Sequence, residues 1–89
     1  MSSTPEVIVY VTPFCAYCVA AKSLLREKGV SVREIDVTED ERQREEMMRR
    51  SGRRTVPQIF IGSQHVGGYE DLLALNQQGK LNALLGISG

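Results

Sequence analysis

Apolar and polar positions change period several times along the chain, and each change marks an element. Glu6-Val-Ile-Val-Tyr-Val11 is an almost unbroken apolar, largely β-branched run, the pattern of a strand buried on both faces. Thr12-Pro13-Phe14 ends it, since proline lacks an amide donor and restricts the residue before it. From Cys15 to Lys28, Val19, Ala20, Ala21, Leu24 and Leu25 follow helical spacing, and Gly29 supplies a stop. Val30-Ser-Val-Arg-Glu-Ile-Asp36 then alternates as a strand does.

Thr38-Glu-Asp-Glu41 has capping-box spacing. It predicts Thr38 as the cap of a helix from about Glu39 to Ser51, closed by Gly52. Its early acids and its late Arg49 and Arg50 suit the two ends of the helix dipole. Val56 to Ile61 reads as a strand entered through Pro57, and Gly62-Ser63 as a hairpin turn into Gln64-His65-Val66. After Gly67-Gly68, Leu72, Leu73 and Leu75 set a helix from Tyr69 to Gln78, and Leu81–Leu85 one or two further helical turns. The order β-α-β-α-β-β-α implies a parallel, right-handed first β-α-β unit with the hairpin added antiparallel. The expected architecture is α/β: a four-stranded mixed sheet flanked by helices, in thioredoxin-fold order.

With 89 residues the chain has room for one domain, residues 1–89, since domains usually run ~100–200 residues. Eleven Lys and Arg balance eleven Asp and Glu, which argues against a nucleic-acid or membrane-surface binder. Four arginines fall within residues 49–54, but seven basic and seven acidic side chains share residues 33–54, as on a solvated helix end. No run approaches the ~18 apolar residues of a membrane span, and Met1–Pro5 lacks the pattern of a secretory signal. Two cysteines are too few for a disulfide scaffold. The expectation is a monomeric cytoplasmic protein with no membrane or nucleic-acid partner.

The chemistry lies in Cys15-Ala-Tyr-Cys18, where the first strand hands over to the first helix. Residues three apart share a helix face, so the two sulfurs can meet. Free amides and the dipole at the helix start stabilise a thiolate at Cys15, while Cys18 lies a turn deeper. The pair thus divides into an attacking and a resolving thiol. Two inert core cysteines and a zinc site compete with this reading. Zinc needs four ligands and the chain offers Cys15, Cys18 and His65, so no metal site is expected. His65 reads as a hairpin residue without a catalytic task.

With Thr55-Val56-Pro57 and Gly67-Gly68-Tyr69-Glu70-Asp71 downstream of that motif, the sequence resembles the dithiol, class I glutaredoxins of the small bacterial kind, from about Val7 to Leu85. The resemblance implies a glutathione-dependent thiol–disulfide oxidoreductase that reduces glutathione mixed disulfides and protein disulfides. Cys15 would attack and Cys18 resolve. Pro57 would follow a cis peptide bond, Val56 would pair with the cysteinyl backbone of glutathione, and Thr55, Tyr17 and Gly68 would complete the groove. The amides of Glu70 and Asp71 would receive the γ-glutamyl carboxylate, and the Asp71 carboxylate its ammonium. Arg44, Arg53 and Arg54 are candidates for the glycyl carboxylate.

Two positions depart from the family pattern: Ala16 stands where proline is usual, and Thr12 where many members carry lysine. Glutathione is the implied co-substrate, with no tightly bound cofactor. Family members with a small residue in place of that proline include some that assemble a [2Fe–2S] cluster. There, two subunits each supply the first cysteine and two glutathiones supply the other thiolates, and Cys15 would be the ligand here. A thioredoxin-like reductant is the other alternative, although the chain has no tryptophan and Phe14 stands directly before Cys15.

Overall fold

A computed structural model describes residues 5–87; residues 1–4 and 88–89 of the expected domain lie outside the described part. Its elements are β1 (Val7–Val11), α1 (Ala16–Glu27), β2 (Val32–Asp36), α2 (Glu41–Ser51), β3 (Gln58–Ile61), β4 (Gln64–Gly67), α3 (Tyr69–Gln77) and α4 (Leu81–Leu85). The sheet order is β2-β1-β3-β4, with β1 parallel to β2, antiparallel to β3, and β3 antiparallel to β4. This is the predicted mixed sheet. No helix among the described residues is long and apolar enough to cross a membrane.

The β1 run does not alternate because both of its faces are covered, and all five residues are buried. Val7, Val9 and Val11 point into a cluster with Ala21 and Leu25 of α1, Leu72 of α3, and Leu81 and Leu85 of α4. Ile8 and Tyr10 point the other way, toward Phe60, Val37 and Met47 of α2. Helices therefore pack on both faces of the sheet, as a non-alternating central strand requires.

Two expected starts move: the strand expected from Val56 begins at Gln58, after the cis Val56–Pro57 bond, and α2 begins at Glu41. Thr38 does not cap α2: its amide donates to Asp36 Oδ1 at 2.8 Å, folding it into an Asx-type turn. The cap is Asp40, whose Oδ1 accepts from the Gln43 amide at 3.1 Å. The helix still ends at Gly52, in the left-handed region at φ 71°, where glycine avoids the Cβ penalty.

Strand register decides where the motifs meet. Tyr10 pairs with Gln58 across the antiparallel β1–β3 ladder, so the turn after β1 and the loop before β3 leave the sheet at the same end. Gly67 pairs with Ile59 in turn, and α3 starts there too. The ladder slips between Ile59 and Phe60, a bulge that re-aims the end of β4.

Candidate functional site

Cys15 is the N-cap of α1, with extended backbone, and its Sγ accepts a hydrogen bond from the Cys18 amide at 3.1 Å. An N-cap acceptor satisfies one of the amides that every helix start leaves unpaired, and a thiolate accepts more strongly than a thiol. Cys15 is partly exposed while Cys18 is buried, at 1% exposure. Burial pushes the Cys18 thiol up to about 12, reinforced by its hydrogen bond to the Cys15 side chain and only partly countered by the Thr12 backbone. Two chemically equivalent residue types thus hold unequal sulfurs. One is accessible and held by an amide, and the other is sealed and protonated.

Phe14, directly before Cys15, has a left-handed backbone at φ 61° and is fully exposed. Such a conformation is strained for a bulky side chain, and strain of this kind clusters at functional sites. Tyr17 and Val19 are also exposed, which leaves an apolar apron around the accessible sulfur. In sequence Phe14 reads as part of the strand break and as the residue directly before Cys15; its exposure is not legible there.

Beside this helix start lies a cleft of about 210 Å³. Tyr17 of α1, the Thr55-Val56-Pro57 loop, and Gly68, Glu70 and Asp71 at the head of α3 all line it. These are the seven residues expected to form a glutathione groove, and Arg53 and Tyr69 join them. Cys15 stands just outside this wall, two residues before Tyr17. The Val56–Pro57 bond is cis, as expected. The Tyr17 and Tyr69 rings lie 6.1 Å apart with 31° between their planes.

The α3 end of the cleft is built for charge. The first intrahelical bond runs from the Leu72 amide to the Gly68 carbonyl at 3.1 Å, so the amides of Glu70 and Asp71 are among those left for a ligand. Asp71 Oδ2 accepts from the Gly68 amide at 2.9 Å and from Arg53 Nη1 at 3.1 Å. The Gly68 amide first, and then Arg53, hold the Asp71 carboxyl below the usual aspartate range. Gly67 has to be glycine: its φ is 119°, and a Cβ there would collide with the Asp71 carboxylate. Of the three candidate cations, only Arg53 reaches the cleft wall. Arg44 sits within α2, and Arg54 does not line the cleft. Arg50, read only as a helix-end charge, lies 4.2 Å over the Phe60 ring and donates to the Tyr10 hydroxyl at 3.3 Å.

Among the described residues no three His, Cys, Asp or Glu side chains converge as a metal site. His65 is engaged instead with Gln58 at 2.7 Å. An iron–sulfur cluster takes four thiolates, and with Cys18 sealed in the core this chain offers one accessible sulfur. A single copy does not fit that donor set.

Comparison with known proteins follows the same lines. The glutaredoxin family model matches residues 7–66. Glutaredoxin 3 of Escherichia coli strain K12 is 52% identical over 80 residues, covering 90% of this chain and 96% of that protein. The glutaredoxin of Pseudomonas aeruginosa is 51% identical over 81 residues, covering 91% and 96%. The solution structure of a glutaredoxin from Brucella melitensis superposes with a TM-score of 0.83 at 54% identity, covering 94% of this chain and 91% of that one. A buckwheat glutaredoxin–glutathione complex superposes at 0.85 with 26% identity, covering 94% and 83%.

Proposed function

The chain belongs to the glutaredoxin family and is a glutathione-dependent thiol–disulfide oxidoreductase, and we propose that Cys15 is its attacking thiol, Cys18 its resolving thiol, and the cleft its glutathione site. The observation that carries the assignment of roles is the bond from the Cys18 amide to Cys15 Sγ at 3.1 Å, with the Cys18 side chain itself buried.

On a glutathione mixed disulfide, the Cys15 thiolate attacks the glutathione sulfur in line with the S–S bond. That bond breaks, its electron pair leaves on the protein sulfur, and Cys15 becomes glutathionylated. A second glutathione thiolate attacks the glutathione sulfur of this intermediate, releasing glutathione disulfide and restoring the Cys15 thiolate. The bond from the Cys18 amide fixes the Cys15 sulfur in place, and that accessible sulfur serves first as the attacking and then as the leaving group. On a protein disulfide, Cys15 forms the mixed disulfide with one partner sulfur. Cys18 then loses its proton and attacks Cys15 Sγ, and the partner leaves as a thiol. Two glutathiones reduce the resulting Cys15–Cys18 disulfide.

In the cleft, the proposed pose lays the cysteinyl backbone of glutathione against Val56 as an added strand. Its γ-glutamyl carboxylate meets the Glu70 and Asp71 amides and its ammonium meets the Asp71 carboxylate, with Arg53, already bonded to Asp71, beside that same charged end. The glutathione complex of the buckwheat relative supports glutathione as the ligand. Partner proteins would be those carrying glutathionylated or disulfide-bonded cysteines. Every protein side chain that this scheme assigns to the enzyme comes from one chain, which supports action as a monomer, and a reducing cytoplasm keeps such a thiol pair in its active state. Reduction of a glutathionylated peptide, coupled to glutathione reductase, tests the proposal, because a thioredoxin-like reductant would not draw on glutathione.

A further inference from the structure

Behind the Thr55-Val56-Pro57 wall lies a polar chain that the scheme above does not use. Gln58 is the one buried polar side chain in the core of the described residues, at 0% exposure. Its Nε2 donates to the Thr55 carbonyl at 2.9 Å and reaches Thr55 Oγ1 at 3.2 Å. Its Oε1 lies 2.7 Å from His65 Nε2. An amide oxygen only accepts, so His65 carries a proton on Nε2. The imidazole ring rests on Phe60, with centroids 4.9 Å apart, which fixes its position on β4.

The placement of this chain matters because β3 begins only at Gln58. The Thr55–Pro57 loop lies outside the strand, and the Gln58 side chain is what ties its first carbonyl back to the sheet. A loop held in shape before the ligand arrives avoids the ordering cost of binding. We propose that Gln58 and His65 are positioning residues for the exchange reaction: the chain from His65 through Gln58 to Thr55 holds the loop in the form that receives the glutathionyl backbone. The proposal rests on reading that loop as a wall of the glutathione site.

Steady-state kinetics on a glutathionylated peptide test it, with KM and kcat taken separately. Gln58→Met keeps the volume and removes both bonds to Thr55. KM should rise roughly 3–10-fold, as for losing a hydrogen bond to a part-buried carbonyl, with kcat within about twofold of wild type. His65→Phe keeps a ring on Phe60 but leaves the Gln58 oxygen unpaired, and KM should rise roughly 2–5-fold by the same reasoning. His65→Gln, which restores a donor, should bring KM back toward wild type. A folded Gln58→Met protein with wild-type KM, or a His65→Phe protein with wild-type KM, overturns the proposal. If Gln58→Met does not fold, the two His65 variants decide. Asp71→Asn separates this from the broader reading. If it raises KM while Gln58→Met does not, only the positioning role is wrong; if neither variant moves KM, the glutathione assignment of the cleft falls as well.

Discussion

Arg53 Nη1 lies 3.1 Å from Asp71 Oδ2, so the cation and the anion of the cleft are already paired with each other. Both side chains remain nearly half exposed. An exposed pair of this kind adds little to stability, which leaves each partner free to exchange the other for a ligand charge of the right sign. Glutathione carries both signs, an ammonium and carboxylates. Arg53→Ala should raise KM for a glutathionylated peptide by about 1.5–5-fold, the range for one screened ion pair. It should also let the Asp71 carboxyl rise toward its ordinary value, because Arg53 is one of the groups that lower it. Kinetics at two salt concentrations and an NMR titration of Asp71 check the two effects.

Asp71→Ala removes more, since the same oxygen caps α3 through the Gly68 amide at 2.9 Å. KM should rise by roughly 10–150-fold if one charge-assisted bond to the ligand is lost. The fold should lose about 0.5–1.5 kcal/mol with that hydrogen bond, read by urea denaturation. An unchanged KM beside a measurable stability loss would leave Asp71 a cap and nothing more.

The carboxyl of Asp71 also sets an acid limit. The Gly68 amide, then Arg53, hold it below the 3.8 of an ordinary aspartate. A depressed carboxyl binds protons more weakly in the fold than in the unfolded chain, so its contribution is present above 3.8 and is lost as pH falls through the lower, folded value. The stability difference between wild type and Asp71→Asn should stay constant from neutrality to about pH 5 and shrink below about pH 4. Denaturation at a series of pH values measures it.

Gly67→Ala should disturb the same corner from another direction. The φ of 119° and the clash with the Asp71 carboxylate should together cost more than the ~1–2 kcal/mol of left-handed strain alone. Gly29→Ala is the control: its φ is 79° but a Cβ there meets open space. Gly67→Ala should raise KM, and Gly29→Ala should not.

How much of this was legible beforehand follows from which forces were local. The strands, the helices and the three motifs each announce themselves over a few residues. Their meeting at one end of the sheet follows from a single register, Tyr10 opposite Gln58; the β-α-β-α-β-β-α order implies the antiparallel pairing but not that register. The α2 cap was misread because Thr38-x-x-Glu41 and Asp40-x-x-Gln43 both have capping spacing, and the competition was settled by Asp36 capturing the Thr38 amide. In sequence Gln58 is an ordinary position inside the Val56–Ile61 run. Its partners, Thr55 and His65, come within reach only once the β3–β4 hairpin has folded back. Arg53 could not be ranked above Arg44 or Arg54 from sequence, because only the path of the chain after Gly52 puts it in the cleft wall.

The inequality of the two sulfurs should appear directly in alkylation. With its thiol pushed up to about 12 by burial, Cys18 should stay unmodified by iodoacetamide at pH 7–8 in the native protein while Cys15 reacts, as mass spectrometry of peptides would show. The same shift means that the buried neutral thiol supports the fold below the 9.0 of a free thiol, and that this support is lost as pH rises through about 12. Cys18→Ala should therefore flatten the alkaline loss of stability.

The most direct measurement of the central claim is turnover of a glutathionylated peptide, coupled to glutathione reductase, by wild type, Cys15→Ser and Cys18→Ser side by side. The account predicts no activity above background for Cys15→Ser and sustained turnover for Cys18→Ser, because the mixed-disulfide route uses the accessible sulfur alone. An active Cys15→Ser protein beside an inactive Cys18→Ser protein would contradict it.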